Sequence, residues 1–212
     1  MKSAPYKYLT NAIPNGIIYT GDRNMDNRAV LMRKSISLFA DRGYEAVGVQ
    51  EICEESGVTK PTLYHYFGSK RGLLDAIVKE YGDIMIRDIS AASDYDRNLP
   101  ATLEKMAFAF YRFAEGNLTF YRMKLSMYFA PKDSEPNMAF KELDLSIFSI
   151  LEDVLRKAVP IYGNIRGREK ITAALIIGAF NTFIGLRLNG FIELTDDIIR
   201  QSLRTVQFGI YN

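Results

Sequence analysis

The stretch Val49–Phe67, VQEICEESGVTKPTLYHYF, restricts the possible folds of this chain more than any other. Val49, Ile52 and Cys53 recur at i, i+3 and i+4, which gives one apolar helical stripe with Glu51, Glu54 and Glu55 largely off it. Gly57 stands where that short helix must end in a left-handed conformation, which costs glycine least. Thr59 is placed to cap a second short helix, and Pro61 is tolerated in its first turn because the missing N–H is not needed there. Leu63 and Phe67, four apart, share an inward face. At about 100° per residue, Pro61, Thr62, Tyr64 and His65 point roughly the other way. That outward face is polar and aromatic and carries no carboxylate, so nothing on it would repel phosphates. Two short helices across a tight glycine turn are the outline of a helix-turn-helix, whose second helix enters a DNA major groove.

The rest of the chain adds little direct chemistry. It has 212 residues, 48% of them apolar, enough for a substantial core. A net charge of +2 is low for a nucleic-acid binder. Residues 1–82 hold 11 Lys/Arg against 9 Asp/Glu, and residues 83–212 hold 16 of each, so the small basic excess lies N-terminal. The one cysteine, Cys53, reads as a small core residue and suits a reducing compartment. The first 24 residues lack the apolar segment of a secretory leader, so a cytoplasmic protein is expected.

The helical pattern extends through almost the whole sequence. Residues 1–24, with Pro5, Pro14, Gly16, Gly21 and three tyrosines, read as an irregular arm that either folds back or lies along DNA. Asp26–Arg42 is a helix with Met32, Ile36, Phe39 and Ala40 inward, ended by Gly43. Ser69 caps a long helix from Lys70 to about Ala92. Two more helices carry Leu103, Met106, Ala107 and Phe110, then Phe120, Met123 and Met127. Asp133–Pro136 reads as a loop. On Lys141–Val159 the apolar residues cover an arc of about 220°, against ~100° for an ordinary surface helix, so it needs two partners. Glu169–Asn189 is apolar nearly all round, with Gly178 and Gly185 giving a smooth strip for close helix approach. It reads as too polar and too short for a membrane span. Two adjacent over-apolar helices point to a two-fold homodimer built as a four-helix bundle, or else to the core of a larger monomer. Thr195 caps a last helix with Ile198, Ile199, Leu203 and Val206.

Arg28–Leu74 resembles the DNA-binding domain of the tetracycline-repressor (TetR) family. The resemblance rests on Leu38-Phe39, Gly43-Tyr44, Val49, Ile52, Gly57-Val58-Thr59-Lys60, Thr62-Leu63-Tyr64, Tyr66-Phe67 and Ser69-Lys70. It implies an all-α chain: an N-terminal three-helix helix-turn-helix domain over 25–70, after the arm of 1–24, and a C-terminal helical ligand-binding and dimerisation domain over 71–212. It implies that Thr59, Lys60, Thr62, Tyr64 and His65 face bases or phosphates of an operator, and that Tyr66 and Lys70 hold the DNA backbone. This sequence departs from the family in three ways. Gly48 stands where a capping hydroxyl residue is frequent, Lys34-Ser35 where two small residues are usual, and the arm is long.

The resemblance also implies a dimer switched by a small molecule, with the helix from Lys70 as the lever. A ligand shifts such an equilibrium only by the difference in its affinity for the two states. Met85, Phe108, Tyr111, Met123, Met127, Phe180 and Phe183, with Tyr128, are adaptable lining for a largely apolar ligand, and Arg112, Arg187 and Asn181 are polar contacts. No cofactor, metal or membrane partner is expected. Nor is an enzyme: the one histidine, His65, lies on the recognition helix, and no GxxxxGK[ST] phosphate loop occurs. The alternative reading is a dimeric DNA-binding regulator without an effector, its C-terminal domain serving dimerisation or a protein partner.

Overall fold

A computed structural model describes residues 23–208 of the chain. Most of the arm expected over 1–24 lies outside them. The described residues form α-helices joined by short turns: α1 (Arg23–Arg42), α2 (Val49–Ser56), α3 (Lys60–Phe67), α4 (Lys70–Ala92), α5 (Leu99–Gly116), α6 (Leu118–Tyr128), α7 (Glu135–Ala158), α8 (Glu169–Leu188) and α9 (Asp196–Phe208). No strand occurs among these residues, so the described part of the chain is all-α.

Turn chemistry sets the corners of the first four helices. Gly57 ends α2 at φ 66°, and the cap N–H groups bond to Cys53 and Glu54 carbonyls. The Ser69 hydroxyl accepts from the Gly72 N–H at 2.9 Å and opens α4. Gly72 itself is required by close approach: a Cβ there would run into the Phe67 carbonyl oxygen at the end of α3. Ile36, Phe39, Val47, Ile52, Leu63 and Leu73 bury the inner faces of this head. Lys34 points to solvent beside Glu55 while Ser35 is buried, so the larger residue of that pair costs α1 no packing.

The head sits on the remaining helices chiefly through the continuous α4 and the packing of α1 against α6. Tyr81 of α4 stacks on Phe120 of α6, with centroids 4.6 Å apart. The apolar core therefore runs without a break past residue 70. Beyond it, α4, α5 and α7 pack together, and α8 and α9 close one side.

Two expectations from the sequence need correction. Pro136 does not lie in a loop; it occupies the first turn of α7, which starts at Glu135 rather than Lys141. Proline's fixed φ suits that position, and Ser134 before it is extended. The other concerns α8. Its 20 residues do reach the length and apolarity of a membrane span. Here, however, it packs on α7 and α9 through Ala173, Ile176, Phe180 and Ile184. Its other face is left bare, with Ile171 65% and Leu175 62% exposed, and Leu145 of α7 is 57% exposed.

Candidate nucleic-acid interface and effector cleft

The outward face of α3 is built by burial of one residue. Leu63 is fully buried, which pins the helix so that Thr59, Lys60, Pro61, Tyr64 and His65 are exposed and Thr62 is half-buried. Tyr64 keeps 48% of its surface in solvent, a high share for an aromatic ring with no structural task. The Thr59 and Thr62 hydroxyls lie 2.9 Å apart. Thr59 starts α3 without a side-chain cap bond, so its hydroxyl remains oriented across the first turn. Tyr66 is half-buried, and its ring meets His65 at 5.3 Å and Phe67 at 6.1 Å.

Lys70 is placed differently from the other basic candidates. Its ammonium donates to the Tyr44 carbonyl at 3.0 Å and the Val47 carbonyl at 3.1 Å, and lies 4.0 Å from the Tyr44 ring centroid. It braces the α1–α2 turn, with at most one of its three N–H donors left for a phosphate. The Tyr44 hydroxyl in turn donates to Glu135 at the start of α7. Burial and this carboxylate push its pKa up. Gly48 precedes α2 with no side-chain cap bond. Arg42, at the end of α1, is paired with Glu51 of α2.

The residues expected to line an effector site are not gathered around a cavity. Met85, Tyr111, Met123, Met127 and Phe180 are packed solid. The void beside Phe180 holds about 10 Å³, room for at most a water molecule. Burial pushes the Tyr111 pKa up to about 12, and its hydroxyl meets Ser202 at 3.3 Å. Phe108 lies between the Arg112 and Arg200 guanidiniums, at 5.3 and 5.1 Å. Arg187 is held by Glu115 at 2.8 Å, and Phe183 is half-buried on α8. Side chains of this size can fill a core or line a cavity, and periodicity cannot separate those two roles.

A larger cavity lies elsewhere. A cleft of about 680 Å³ opens between the C-terminal end of α6, Phe148 of α7 and the Ala174–Gly185 side of α8, within the usual range for small-molecule sites. Of the residues expected to meet a ligand, Tyr128 and Asn181 border it, as do Gly178 and Gly185 of the smooth α8 strip. Behind it lies a buried polar layer that sequence reasoning missed. Lys124, 2% exposed, pairs with Asp144 at 2.5 Å, and the Tyr121 hydroxyl donates to Asn181 Oδ1 at 2.6 Å. The one available signal was a lysine in the apolar stripe of α6, between Met123 and Met127. Among the described residues, no group of three or more His, Cys, Asp or Glu stands close enough to hold a metal ion.

Comparison with known proteins agrees with the geometry of the head. Residues 31–77 match the family described as bacterial regulatory proteins, tetR family. The chain is 33% identical over 102 residues to the HTH-type transcriptional activator FasR of Mycolicibacterium smegmatis, covering 46% of this chain and 45% of that protein. It is 34% identical over 82 residues to the HTH-type transcriptional repressor KstR2 of Rhodococcus jostii, covering 37% and 39%. The matches thus span less than half the length of these curated relatives. The fold is similar to that of the transcriptional regulator FadR of Bacillus subtilis, solved in complex with stearoyl-CoA. That likeness has a TM-score of 0.69 at 17% identity, over 86% of this chain and 98% of that one. Over residues 31–77 the chain thus carries a segment that matches the DNA-binding domain of the tetR family of bacterial regulatory proteins.

Proposed function

We propose that this protein is a cytoplasmic, DNA-binding transcriptional regulator that reads a palindromic operator as a two-fold homodimer and leaves it when a small, largely apolar ligand binds. The head of 25–70 reads DNA, and 71–212 holds the effector and the dimer contact. The observation that carries this reading is the outward face of α3, exposed, free of carboxylates and centred on Tyr64. Thr59, Lys60, Thr62, Tyr64 and His65 meet bases and phosphates there, Tyr66 supports the backbone contact, and Lys70 serves mainly through its brace on the α1–α2 turn.

Pairing follows from the bare faces of α7 and α8. Exposed Leu145, Ile171 and Leu175 are the kind of surface that self-association covers. Two copies then present two α3 helices to successive major grooves, ~34–36 Å apart. Repression is supported by the KstR2 likeness, and the FasR likeness keeps activation as the other outcome. For the ligand, the stearoyl-CoA held by FadR makes long acyl conjugates the first class to test. The solid core favours a second reading, a regulator without an effector.

Genome-wide mapping of bound DNA, followed by fluorescence anisotropy on the recovered site, tests the first part. Tyr64→Ala is expected to weaken operator binding by roughly tenfold, the cost of one good base contact, without altering the dimer. Unchanged binding refutes the assignment of the α3 face. A thermal-shift screen with acyl conjugates separates the two effector readings, because a ligand bound to the native state raises the melting temperature.

A further inference from the structure

Ligand chemistry is legible in the cleft between α6, α7 and α8. Its walls are apolar, with Leu125, Phe129, Phe148 and Ile177 among them, and its α8 floor is smoothed by Gly178. Apart from the half-exposed Tyr128 at its rim, the hydroxyls facing it are already committed. The Ser126 hydroxyl donates to the Met123 carbonyl at 2.8 Å, and the Thr182 hydroxyl to the Gly178 carbonyl at 2.9 Å, so both protons are taken. Asn181 differs. Its Oδ1 accepts from the Tyr121 hydroxyl, buried behind it, at 2.6 Å. A tyrosine O–H has one proton to give, and giving it here selects the amide orientation. The Asn181 NH₂, with two donors and no acceptor among the described residues, is then presented to the cleft.

We propose that this cleft binds a small molecule with an apolar body ending in a carbonyl-type acceptor (ketone, ester, amide or acyl thioester), read by the Asn181 amide, with Tyr121 as the positioning residue. This names the ligand class for the effector reading above and rests on it. A bare hydrocarbon leaves the amide donors desolvated and unpaired, so the site discriminates against it. A ligand with only donors at its head meets two N–H groups and gains nothing.

Benzophenone and diphenylmethane test this directly, since they share one shape and differ by a carbonyl against a methylene. Calorimetry on the full chain is expected to show benzophenone binding roughly twofold to tenfold more tightly, the worth of one net hydrogen bond. Ultraviolet irradiation of bound benzophenone is expected to attach it to C–H groups of 125–129 or 174–185, located by peptide mapping. Asn181→Leu should remove the preference for benzophenone over diphenylmethane. Tyr121→Phe, which keeps the ring and its packing, should reduce the same preference. Equal binding of the two probes, a preference that survives Asn181→Leu, or attachment elsewhere overturns the proposal. Absence of attachment because a second copy fills the cleft overturns it as well. Cognate DNA binding without probe binding defeats the site and leaves the regulator reading standing. Probe binding that never changes DNA affinity leaves the site and defeats the switch.

Discussion

The Lys124–Asp144 pair makes a sharply asymmetric prediction. Lys124 is 2% exposed and its ammonium lies 2.5 Å from Asp144, whose side chain keeps about a quarter of its surface in solvent. Removing either partner breaks the same contact, but what remains differs. Asp144→Asn leaves an ammonium buried among apolar side chains with its counter-charge gone, a loss of roughly 3–5 kcal/mol. For a chain of this size that lowers the melting temperature on the order of 10 °C. Lys124→Met leaves a carboxylate that already reaches water and can rehydrate, while methionine fills most of the lysine stem. Its cost is expected to stay below about 2 kcal/mol. The double variant Lys124→Met/Asp144→Asn should lie near the single Lys124→Met. Urea denaturation of the four proteins, read by circular dichroism, gives the cycle. Equal losses for the two single variants would refute the argument that unequal burial, and not the contact itself, sets the cost. The pair also pins α6, on which α1 of the head rests, to α7, so Asp144→Asn should lower operator affinity as well.

Further outcomes follow from other parts of the molecule. Leu175→Glu places a charge in the middle of the bare α8 face and should convert the proposed dimer to monomer in sedimentation without unfolding it; a persistent dimer would move the interface elsewhere. Gly72→Ala forces the α3–α4 corner open against the Phe67 carbonyl, with an expected loss of about 1–3 kcal/mol in denaturation and weaker operator binding. Alkaline stability tests the buried tyrosines. Tyr44, Tyr81, Tyr111 and Tyr121 all have folded pKa values raised by burial, Tyr111 to about 12. Above the ordinary tyrosine value of about 10, the unfolded chain therefore binds fewer protons than the folded one. Stability should be level below that pH and fall as pH rises through the range from about 10 to 12 and beyond. A flat denaturation midpoint across it would contradict the burial of these hydroxyls.

Much of the head was readable because its signals are local. Gly57 and Ser69 act on the backbone within three or four residues, and the structure places α2, α3 and α4 where those residues imply. Pro136 was misjudged because a proline both ends loops and opens helices, and only the extended Ser134 before it distinguishes the two. Lys70 was legible as a cation beside the recognition helix. Its capture by two carbonyls of the α1–α2 turn depends on a contact 23 to 26 residues away. The expected lining was less legible for a related reason: Met123, Met127 and Phe180, all buried here, can line a cavity or fill a core, and periodicity is identical in both.

By itself, then, the sequence determined the helix order, the helix-turn-helix and the outward face of α3, because periodicity and cap chemistry are short-range properties of the chain. It also marked α7 and α8 as over-apolar, a matter of composition alone. Tertiary structure alone decided which of those apolar faces remain bare, that the core around Phe180 closes to about 10 Å³, and that the open cleft lies against α8. It alone brought Tyr121 to Asn181 and Lys124 to Asp144, partners 60 and 20 residues apart along the chain. Volume filling and long-range pairing arise from how helices meet, and no local pattern of residues encodes where two helices will leave a gap.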